Sequence, residues 1–337
     1  MKKFLLFFFC LQAYVQAEIF DASMEAMHLT NIRQLTFPSM GFEKAGEGYF
    51  SPDGKTILFQ AVPQGKLHYQ IYKMNIEEEI PVMVSTGKGA CTCAYFKNDN
   101  KKIIFASSHE DPSLEESALI TPEQGKTKTG NYKWDFTPYM NIYEADLDGS
   151  NLCRLTDGEP YHAECAYSSD GSRIVYASNK QGSMNIFTMC SDGTDHVQVT
   201  HTNHCYNGGP FFSPDSEWIL FRADREKPDY LQIYAIRVDG TEEQQLTNNG
   251  AVNWAPYWHP NGEVIAFTTS LHGHHNYEIY LLNIKTGAQH RLTHRTGFDG
   301  LPVFSPDGSK LMWTSKRGPD ATCQLFIADF TMPKALE

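Results

Sequence analysis

A tetrapeptide of the Ser-Pro-Asp-Gly type recurs six times in this chain of 337 residues, and it limits the fold more than any other feature. The six copies are Ser51–Gly54, Lys97–Asn100, Ser168–Gly171, Ser213–Ser216, His259–Gly262 and Ser305–Gly308. Their third residues are 46, 71, 45, 46 and 46 positions apart. The spacing of 71 is one period of 46 plus an insertion of 25 residues, which we place at about 110–138. A fixed period of about 45 residues is typical of four-stranded propeller blades.

Each repeat carries the signals of four short strands. The Ser-Pro-Asp-Gly segment suits a type I turn between two antiparallel strands. An aromatic residue follows six positions after the third turn residue in every copy: Phe59, Phe105, Tyr176, Phe221, Phe267 and Trp313. Asp-Gly pairs such as Asp192–Gly193 then predict a hairpin that leads to a fourth strand ending in Leu-Thr or Val-Thr. The repeat therefore predicts an all-β fold of four-stranded antiparallel blades.

The sixth repeat lacks its fourth strand, because its third strand ends near Phe330 and only residues 331–337 follow as a C-terminal tail. The missing Leu-Thr strand is found instead at Ile32–Thr36, ahead of the first complete repeat. Pairing of the two chain ends would complete the sixth blade and protect its edge. We therefore predict a six-bladed β-propeller over residues 32–330 that is closed by the N-terminal strand.

These units resemble the repeats of the TolB-like β-propeller family, which are WD-like and carry the Ser-Pro-Asp-Gly signature. The resemblance covers residues 32–330. Two segments, Tyr206–Asp215 and Phe298–Pro302, are similar to motifs of secreted propellers in that family. The resemblance implies a periplasmic protein whose propeller face binds a partner.

The N-terminal residues predict export of the protein. Two lysines, an apolar run over residues 4–11 and small residues at Val15 and Ala17 are typical of a signal peptide, here residues 1–17. Residues 18–31 would then form a lead-in to the ring. The apolar run is too short to span a membrane. We expect a periplasmic or secreted protein with no transmembrane segment after cleavage.

The net charge of the chain restricts the class of partner, and the number of cysteines restricts the disulfides that can form. The chain has 40 acidic and 28 basic residues, a net charge of −12, which argues against a nucleic-acid partner. Seven cysteines remain once Cys10 is removed with the predicted signal peptide. Cys91, Cys93, Cys165 and Cys205 lie near strand starts on one predicted face, so one or two disulfides are allowed, with open connectivity. We expect a monomer.

Positions at which the repeats differ are the candidates for function. Six positions before the third turn residue stand Glu47, Cys93, Glu164, Gly209, Ala255 and Leu301. Two positions earlier stand Ala45, Cys91, His162, Asn207, Asn253 and Asp299. Both sets should surround one channel mouth, where the innermost strands begin. The polar candidates for binding are Glu47, His162, Glu164, Asn207, Asn253 and Asp299. They predict an acidic funnel for a cation or a basic peptide group, the alternative being carboxylates that only bind solvent and loop amides.

Two further features are candidates for binding. Arg222 stands where most repeats have a small or short polar residue, and it could clamp a carboxylate or pair with a neighbouring blade. The insertion at about 110–138 is rich in aromatic residues and includes Trp134. We predict that it covers the mouth as a lid or docking element, unless it packs against the side of blade 2 or 3.

Histidines suggest a second hypothesis. His109 opens the insertion, and His272, His274 and His275 lie in one loop on the same predicted face. Imidazole clusters bind transition metals, and some propeller lyases that degrade pectin fragments use such a site. The chain has no Gly-x-Ser-x-Gly, His-Glu-x-x-His, Walker or dinucleotide motif.

The residues thus predict an exported, non-catalytic binding or scaffold propeller that engages an envelope protein or peptide at the channel mouth. The alternative is a metal-assisted lyase or hydrolase that acts on a carbohydrate or peptide at the same face. No cofactor is predicted for the first hypothesis, and a divalent metal belongs to the second.

Overall fold

A computed structural model describes residues 22–114 and 136–337, and within these ranges the chain folds into six four-stranded antiparallel sheets. Each sheet contains one copy of the Ser-Pro-Asp-Gly turn, which joins its first and second strands. The sequence-based prediction of a six-bladed, all-β propeller is confirmed. Helical structure among the described residues is limited to a turn over 22–26, Leu114 and the 3-10 helices Pro38–Met40 and Lys334–Leu336.

The strands are numbered in chain order, and the first strand of the chain belongs to the last blade. Blade 1 contains β2 (Phe42–Phe50), β3 (Thr56–Pro63), β4 (Gln70–Asn75) and β5 (Val82–Met83). Blade 2 contains β6 (Cys91–Phe96), β7 (Lys102–Ser107), β8 (Asn141–Asp146) and β9 (Cys153–Arg154). Blade 3 contains β10 (His162–Tyr167), β11 (Arg173–Ser178), β12 (Asn185–Cys190) and β13 (Val197–Gln198). Blade 4 contains β14 (Asn207–Phe212), β15 (Trp218–Ala223), β16 (Gln232–Arg237) and β17 (Gln244–Gln245). Blade 5 contains β18 (Asn253–Trp258), β19 (Val264–Thr269), β20 (Glu278–Asn283) and β21 (Gln289–Arg291). Blade 6 contains β22 (Asp299–Phe304), β23 (Lys310–Ser315), β24 (Gln324–Phe330) and β1 (Leu29–Gln34).

The two ends of the described chain meet in blade 6. Strand β1 pairs antiparallel with β24, so that Leu29 lies opposite Phe330 and Arg33 lies opposite Ile327. The strand begins three residues earlier than the predicted Ile32, inside the segment that the sequence assigned to a lead-in. Leu29 and Leu35 are both buried, and this pairing removes the free edge that β24 would otherwise expose.

The core of each blade is built on the repeated aromatic residues. All six that the repeat singled out are at most 1% exposed: Phe59, Phe105, Tyr176, Phe221, Phe267 and Trp313. Full burial of an aromatic or aliphatic side chain contributes about 1.5–3 kcal/mol, so these residues account for much of the stability of each blade.

A polar clasp joins the third and fourth strands of every blade and explains the Leu-Thr signature. In blade 4, Thr247 Oγ1 donates to Gln232 Oε1 over 2.9 Å and accepts the N–H of Ile233 over 2.9 Å. The other five blades make the same pair of bonds from a threonine or serine. Blade 5 differs only in the acceptor, which is the carboxyl of Glu278 instead of an amide.

Glu278→Gln should stabilise the propeller at alkaline pH. Burial raises the pKa of the Glu278 carboxyl from 4.5 to about 7, although Thr293 and Arg291 bind it. A raised pKa favours the protonated folded state, so the stability contributed by this group falls as the pH rises from about 4.5 to about 7. At pH 8 the amide should gain on the order of 3 kcal/mol over the carboxylate, from ~1.4 kcal/mol per pKa unit.

Melting temperatures at pH 4 and pH 8 check this prediction. The difference between Glu278→Gln and wild type should be near zero at pH 4 and clearly positive at pH 8. Gln232→Glu is the reverse change in blade 4 and should show the opposite pH trend. A gain that is the same at both pH values would exclude carboxylate desolvation as its cause.

The seven described cysteines are all free thiols. The one or two disulfides that the sequence allowed are therefore not formed among the described residues. Cys91 lies buried with its Sγ 3.2 Å from Ser107 Oγ, a neighbour in its own blade. None of the helices in residues 22–114 and 136–337 has the length and apolarity needed to cross a membrane.

Candidate binding site at the channel mouth

A β-bulge interrupts the innermost strand of every blade at the position six residues before the third turn residue. The bulged residue has a positive φ in each blade: Glu47 (47°), Cys93 (54°), Glu164 (57°), Gly209 (57°), Ala255 (48°) and Leu301 (56°). A left-handed conformation costs a residue other than glycine ~1–2 kcal/mol. Bulges redirect side chains, and these six residues all line one central cavity. The structure thus brings together the first ring of positions that the sequence singled out.

The cavity has a volume of about 140 Å³ and lies at the mouth of the channel. Besides the bulged residues, its wall includes the aromatic residues Tyr49, Tyr69, Tyr161, Phe211, Trp254 and Tyr257. The sequence reasoning missed Tyr161 and Trp254, although each is adjacent in sequence to a strand-entry position that it did select.

An aromatic belt closes the inner end of this cavity. Ring centroids of Phe211 and Tyr257 are 5.1 Å apart, those of Tyr49 and Tyr95 are 5.3 Å apart, and the hydroxyls of Tyr95 and Tyr257 are 3.2 Å apart. Phe211 and Tyr257 also line a second cavity of about 410 Å³, which lies on the face that carries the Ser-Pro-Asp-Gly turns. The belt therefore divides the channel into two separate mouths.

Glu164 and Arg222 form a buried ion pair in the wall of the first cavity. Arg222 Nη2 donates to Glu164 Oε1 over 2.8 Å, and the two side chains are 8% and 9% exposed. Tyr206 completes the cluster, because its hydroxyl donates to Glu164 and accepts from Arg222. The hypothesis that Arg222 pairs with a neighbouring blade is confirmed, since Glu164 belongs to blade 3 and Arg222 to blade 4.

Gly209 leaves the space that Arg222 occupies. A Cβ at this position would overlap Arg222 Nη1 and lie 2.9 Å from its Cζ. The N–H of Gly209 donates to Glu164 Oε2 over 2.5 Å. The bulge amides of blades 1, 2 and 6 donate to a side chain on the second strand of the preceding blade, as Leu301 N–H does to Thr268. Blade 3 has Ala177 there and lacks such an acceptor, so Glu164 serves instead.

Gly209→Ala should destabilise the protein by about 1–3 kcal/mol, which is the usual cost of overpacking. Alanine can adopt this left-handed conformation, as Ala255 does in blade 5, but the backbone adds ~1–2 kcal/mol to the cost. The rest should come from displacement of Arg222, and urea unfolding measures the total. In an Arg222→Ala background only the backbone cost should remain; an equal cost in both backgrounds would contradict this explanation.

Glu47 is the second carboxylate of the cavity. Its Oε1 accepts from the Tyr49 hydroxyl over 3.1 Å, and the Cys93 thiol also bonds to it. Burial raises the pKa of Glu47, nearby Glu164 adds to the rise, and Arg222 opposes it. The charged residues that line the cavity are these two glutamates and one arginine, so acidic groups are in excess. Glu47, Cys93 and Glu164 make the bulge positions of blades 1–3 polar, whereas those of blades 4–6 are apolar.

Asn207 and Asn253 lie at the junctions between blades. Asn207 Nδ2 donates to the carbonyl oxygen of Met184 in blade 3 over 2.9 Å. Asn253 Nδ2 donates to Gln232 Oε1 in blade 4 over 2.8 Å. Both side chains are fully buried and neither lines the cavity, so the prediction that they surround the mouth is wrong for these two residues. At the start of the strand, pleating directs them between the blades.

His162 and Asp299 are also buried outside the cavity. Asp299 accepts bonds from Trp313 Nε1 over 2.9 Å and from Arg317 over 2.9 Å. His162 is 4% exposed, and burial together with nearby Lys180 lowers its pKa to about 4. Neither residue lines the cavity, so the predicted acidic funnel is reduced to Glu47 and the ion-paired Glu164.

His109 and His272 occupy a packing position that repeats around the ring. The ring of His109 lies 4.5 Å from that of Tyr143, and His272 lies 6.0 Å from Tyr280. Three other blades place a cation over the equivalent aromatic residue: Lys180 over Phe187, Arg225 over Tyr234 and Arg317 over Phe326. The sequence analysis did not recognise this repeat.

The four candidate metal ligands are not brought together. His109 belongs to blade 2, whereas His272, His274 and His275 lie in the β19–β20 loop of blade 5, on the opposite side of the ring. His274 Nδ1 lies 3.4 Å from the Tyr277 hydroxyl. Within residues 22–114 and 136–337, no three His, Cys, Asp or Glu side chains are arranged to hold a metal ion.

Trp134 and most of the insertion lie outside the described residues. The described end of the insertion reaches the mouth, because the ring of Phe136 lies 5.3 Å from Tyr161 and 6.2 Å from Tyr206. Phe136 is itself 42% exposed. The lid or docking role of the insertion remains a prediction.

The sequence matches a known protein family and resembles several curated proteins. The TolB beta propeller domain matches residues 135–249 and 232–335, together more than half of the chain. Tol-Pal system protein TolB of Francisella tularensis subsp. mediasiatica is 28% identical over 185 residues, which cover 52% of this chain and 42% of that protein. An uncharacterized protein of Agrobacterium fabrum is 31% identical over 83 residues, 25% of this chain and 27% of that protein. The chain thus spans less than half the length of these curated relatives.

Solved structures support the fold. TolB from Acinetobacter baumannii has a TM-score of 0.55 at 18% identity, covering 86% of this chain and 64% of that one. At these levels of identity, the likeness concerns architecture alone. The family match begins at residue 135 and covers five of the six blades: blades 3, 4 and 5 in whole and blades 2 and 6 in part. The repeats found in the sequence lie on the same blades. The chain therefore belongs to the TolB beta propeller domain family.

Proposed function

We propose that this protein is an exported, non-catalytic binding propeller whose channel mouth takes up a segment of an envelope protein or peptide. The observation that carries the proposal is the cavity at the six bulges, which is closed on the inner side by the aromatic belt. A blind cavity of this kind receives a protruding group and does not conduct a chain through the ring.

The composition of the mouth supports a protein partner. Tyr69, Tyr161 and Trp254 line the cavity, and Phe136 is exposed beside it. Aromatic residues and arginine are enriched at the centres of protein interfaces, where a few of them contribute most of the binding energy. Relatives that bear the name Tol-Pal system protein support a role within a set of interacting proteins. Periplasmic or secreted localisation rests on the signal peptide predicted at residues 1–17.

The size of the cavity favours a side chain over an oligosaccharide. An engineered cavity of about 150 Å³ holds one benzene molecule, and the present cavity of about 140 Å³ is of that size. His109 and His272 pack against aromatic rings, and in residues 22–114 and 136–337 no three potential ligands are arranged to hold the metal ion that the lyase or hydrolase hypothesis requires.

Filling the cavity tests the proposal. Ala255→Leu adds volume at a bulge whose conformation accepts leucine, since Leu301 adopts it in blade 6. Immobilised wild-type protein should capture a defined set of proteins from envelope extract, and Ala255→Leu should lose most of that capture. Glu217→Gln, an exposed change near a turn of the opposite face, is the matched control and should capture as wild type does. Unchanged capture by a folded Ala255→Leu protein would refute binding at this mouth.

A further inference from the structure

We propose that the mouth cavity recognises a single basic side chain, arginine or lysine, presented by its partner. This inference rests on the proposed function and specifies the chemistry of the group that enters. It is carried by the charge of the cavity, by its aromatic wall and by its volume.

The charge of the cavity is unbalanced by one acidic group. Arg222 forms an ion pair with Glu164 and donates to the Tyr206 hydroxyl, so its charge is already compensated inside the wall. Glu47 accepts hydrogen bonds from Tyr49 and Cys93, both neutral donors, and no ion pair among the described residues includes it. Burial raises the pKa of Glu47 and so favours its protonated form in the empty cavity. A cation beside the carboxyl group favours the ionised form, which offers about four acceptor sites, so entry of a basic group would be coupled to ionisation of Glu47.

The aromatic and apolar part of the cavity wall suits the rest of a basic side chain. Cations are attracted to the faces of tryptophan and tyrosine rings within about 6 Å. Tyr69, Tyr161 and Trp254 line the cavity, and Ala255 and Leu301 supply apolar surface for a methylene stem. At the rim, the ammonium group of Lys44 already lies 4.7 Å from the ring centre of Tyr69. Lys44 is exposed at this position, so an incoming cation can displace it from the ring.

The volume limits the ligand to one side chain. About 140 Å³ accommodates a guanidinium or ammonium group with its adjoining methylenes, but it does not accommodate a main chain as well. The partner backbone must then remain outside, against the exposed Phe136 and the aromatic rim. Recognition of one inserted basic residue by a carboxylate and aromatic rings follows from this arrangement.

Calorimetric titration with three capped peptides tests the inference. The probes are acetyl-Gly-Arg-Gly-amide, acetyl-Gly-Lys-Gly-amide and acetyl-Gly-citrulline-Gly-amide, the last being a neutral analogue of the arginine peptide. Wild-type protein should bind at least one basic peptide no less than tenfold more tightly than the citrulline peptide. Glu217→Gln should preserve this ratio, Glu47→Gln should reduce it to near one, and Lys44→Gln should increase the affinity for the basic peptide.

Three outcomes would overturn the inference. They are equal binding of basic and citrulline peptides, a preference that persists in Glu47→Gln, and no detectable binding of any peptide by the wild-type protein at millimolar concentration. None of these results refutes binding at the mouth as such, because the Ala255→Leu capture experiment tests that independently. If Ala255→Leu lost capture while the peptides showed no preference for a basic side chain, the proposed function would still hold, and the side chain that enters the cavity would be a neutral one.

Discussion

A variant that lacks residues 22–36 should fail to fold into a stable monomer. The deletion removes β1, exposes the edge of β24 and leaves gaps where Leu29 and Leu35 are buried. Loss of one buried leucine side chain alone costs about 2–5 kcal/mol, whereas domains have a total stability of about 5–15 kcal/mol. The cooperative thermal transition, followed by circular dichroism and calorimetry, should therefore be lost or lowered by tens of degrees.

Addition of the missing strand in trans is the control for this result. A synthetic peptide of residues 22–37 should restore the transition, because it can pair with β24 and supply both leucines. The same peptide with aspartate in place of Leu29 and Leu35 should not restore it. A truncated protein that melts as wild type does would show that the ring does not depend on β1.

Arg222→Leu should destabilise the propeller by about 3–5 kcal/mol, because it leaves Glu164 as an unpaired buried charge. The double variant Glu164→Gln with Arg222→Leu should regain most of that loss, since it removes both charges together. Urea unfolding of the single and double variants measures the free energy of unfolding in each case.

An exposed ion pair provides the comparison. Arg237 pairs with Glu217 on the turn face, where the two side chains are 35% and 62% exposed. Arg237→Leu should change stability by less than about 1 kcal/mol. If Arg222→Leu behaved in the same way, or if the double variant were no more stable than the single one, the buried pair would not have the structural role described above.

The fold was predictable from the sequence because the physical requirements of one blade are repeated six times. The turn, the buried aromatic residue and the Thr clasp recur at fixed spacing, and the incomplete last repeat indicated that the chain ends pair. The start of β1 was not predictable to the residue. Leu29 lies outside the Leu-Thr pattern, and its pairing depends on the position at which β24 ends near Phe330.

The candidate site was predictable only in part. Repeat register located the six bulged residues, because the position before each turn is the same in every blade. Register could not distinguish side chains that face the cavity from those between blades, as Asn207 and Asp299 illustrate. Arg222 can reach Glu164 only because Gly209 has no side chain in the space between them. The packing of His109 against Tyr143 became evident only from the structure, where equivalent contacts recur in other blades.

Site-specific photocrosslinking tests most directly whether this mouth is the binding surface. Benzoylphenylalanine would replace Tyr69 in the wall of the cavity or Asn98 at the opposite mouth. Irradiation in envelope extract should give a discrete protein adduct from position 69 that excess acetyl-Gly-Arg-Gly-amide suppresses, and no such adduct from position 98. Adducts that form only from position 98, or equally from both positions, would contradict the account.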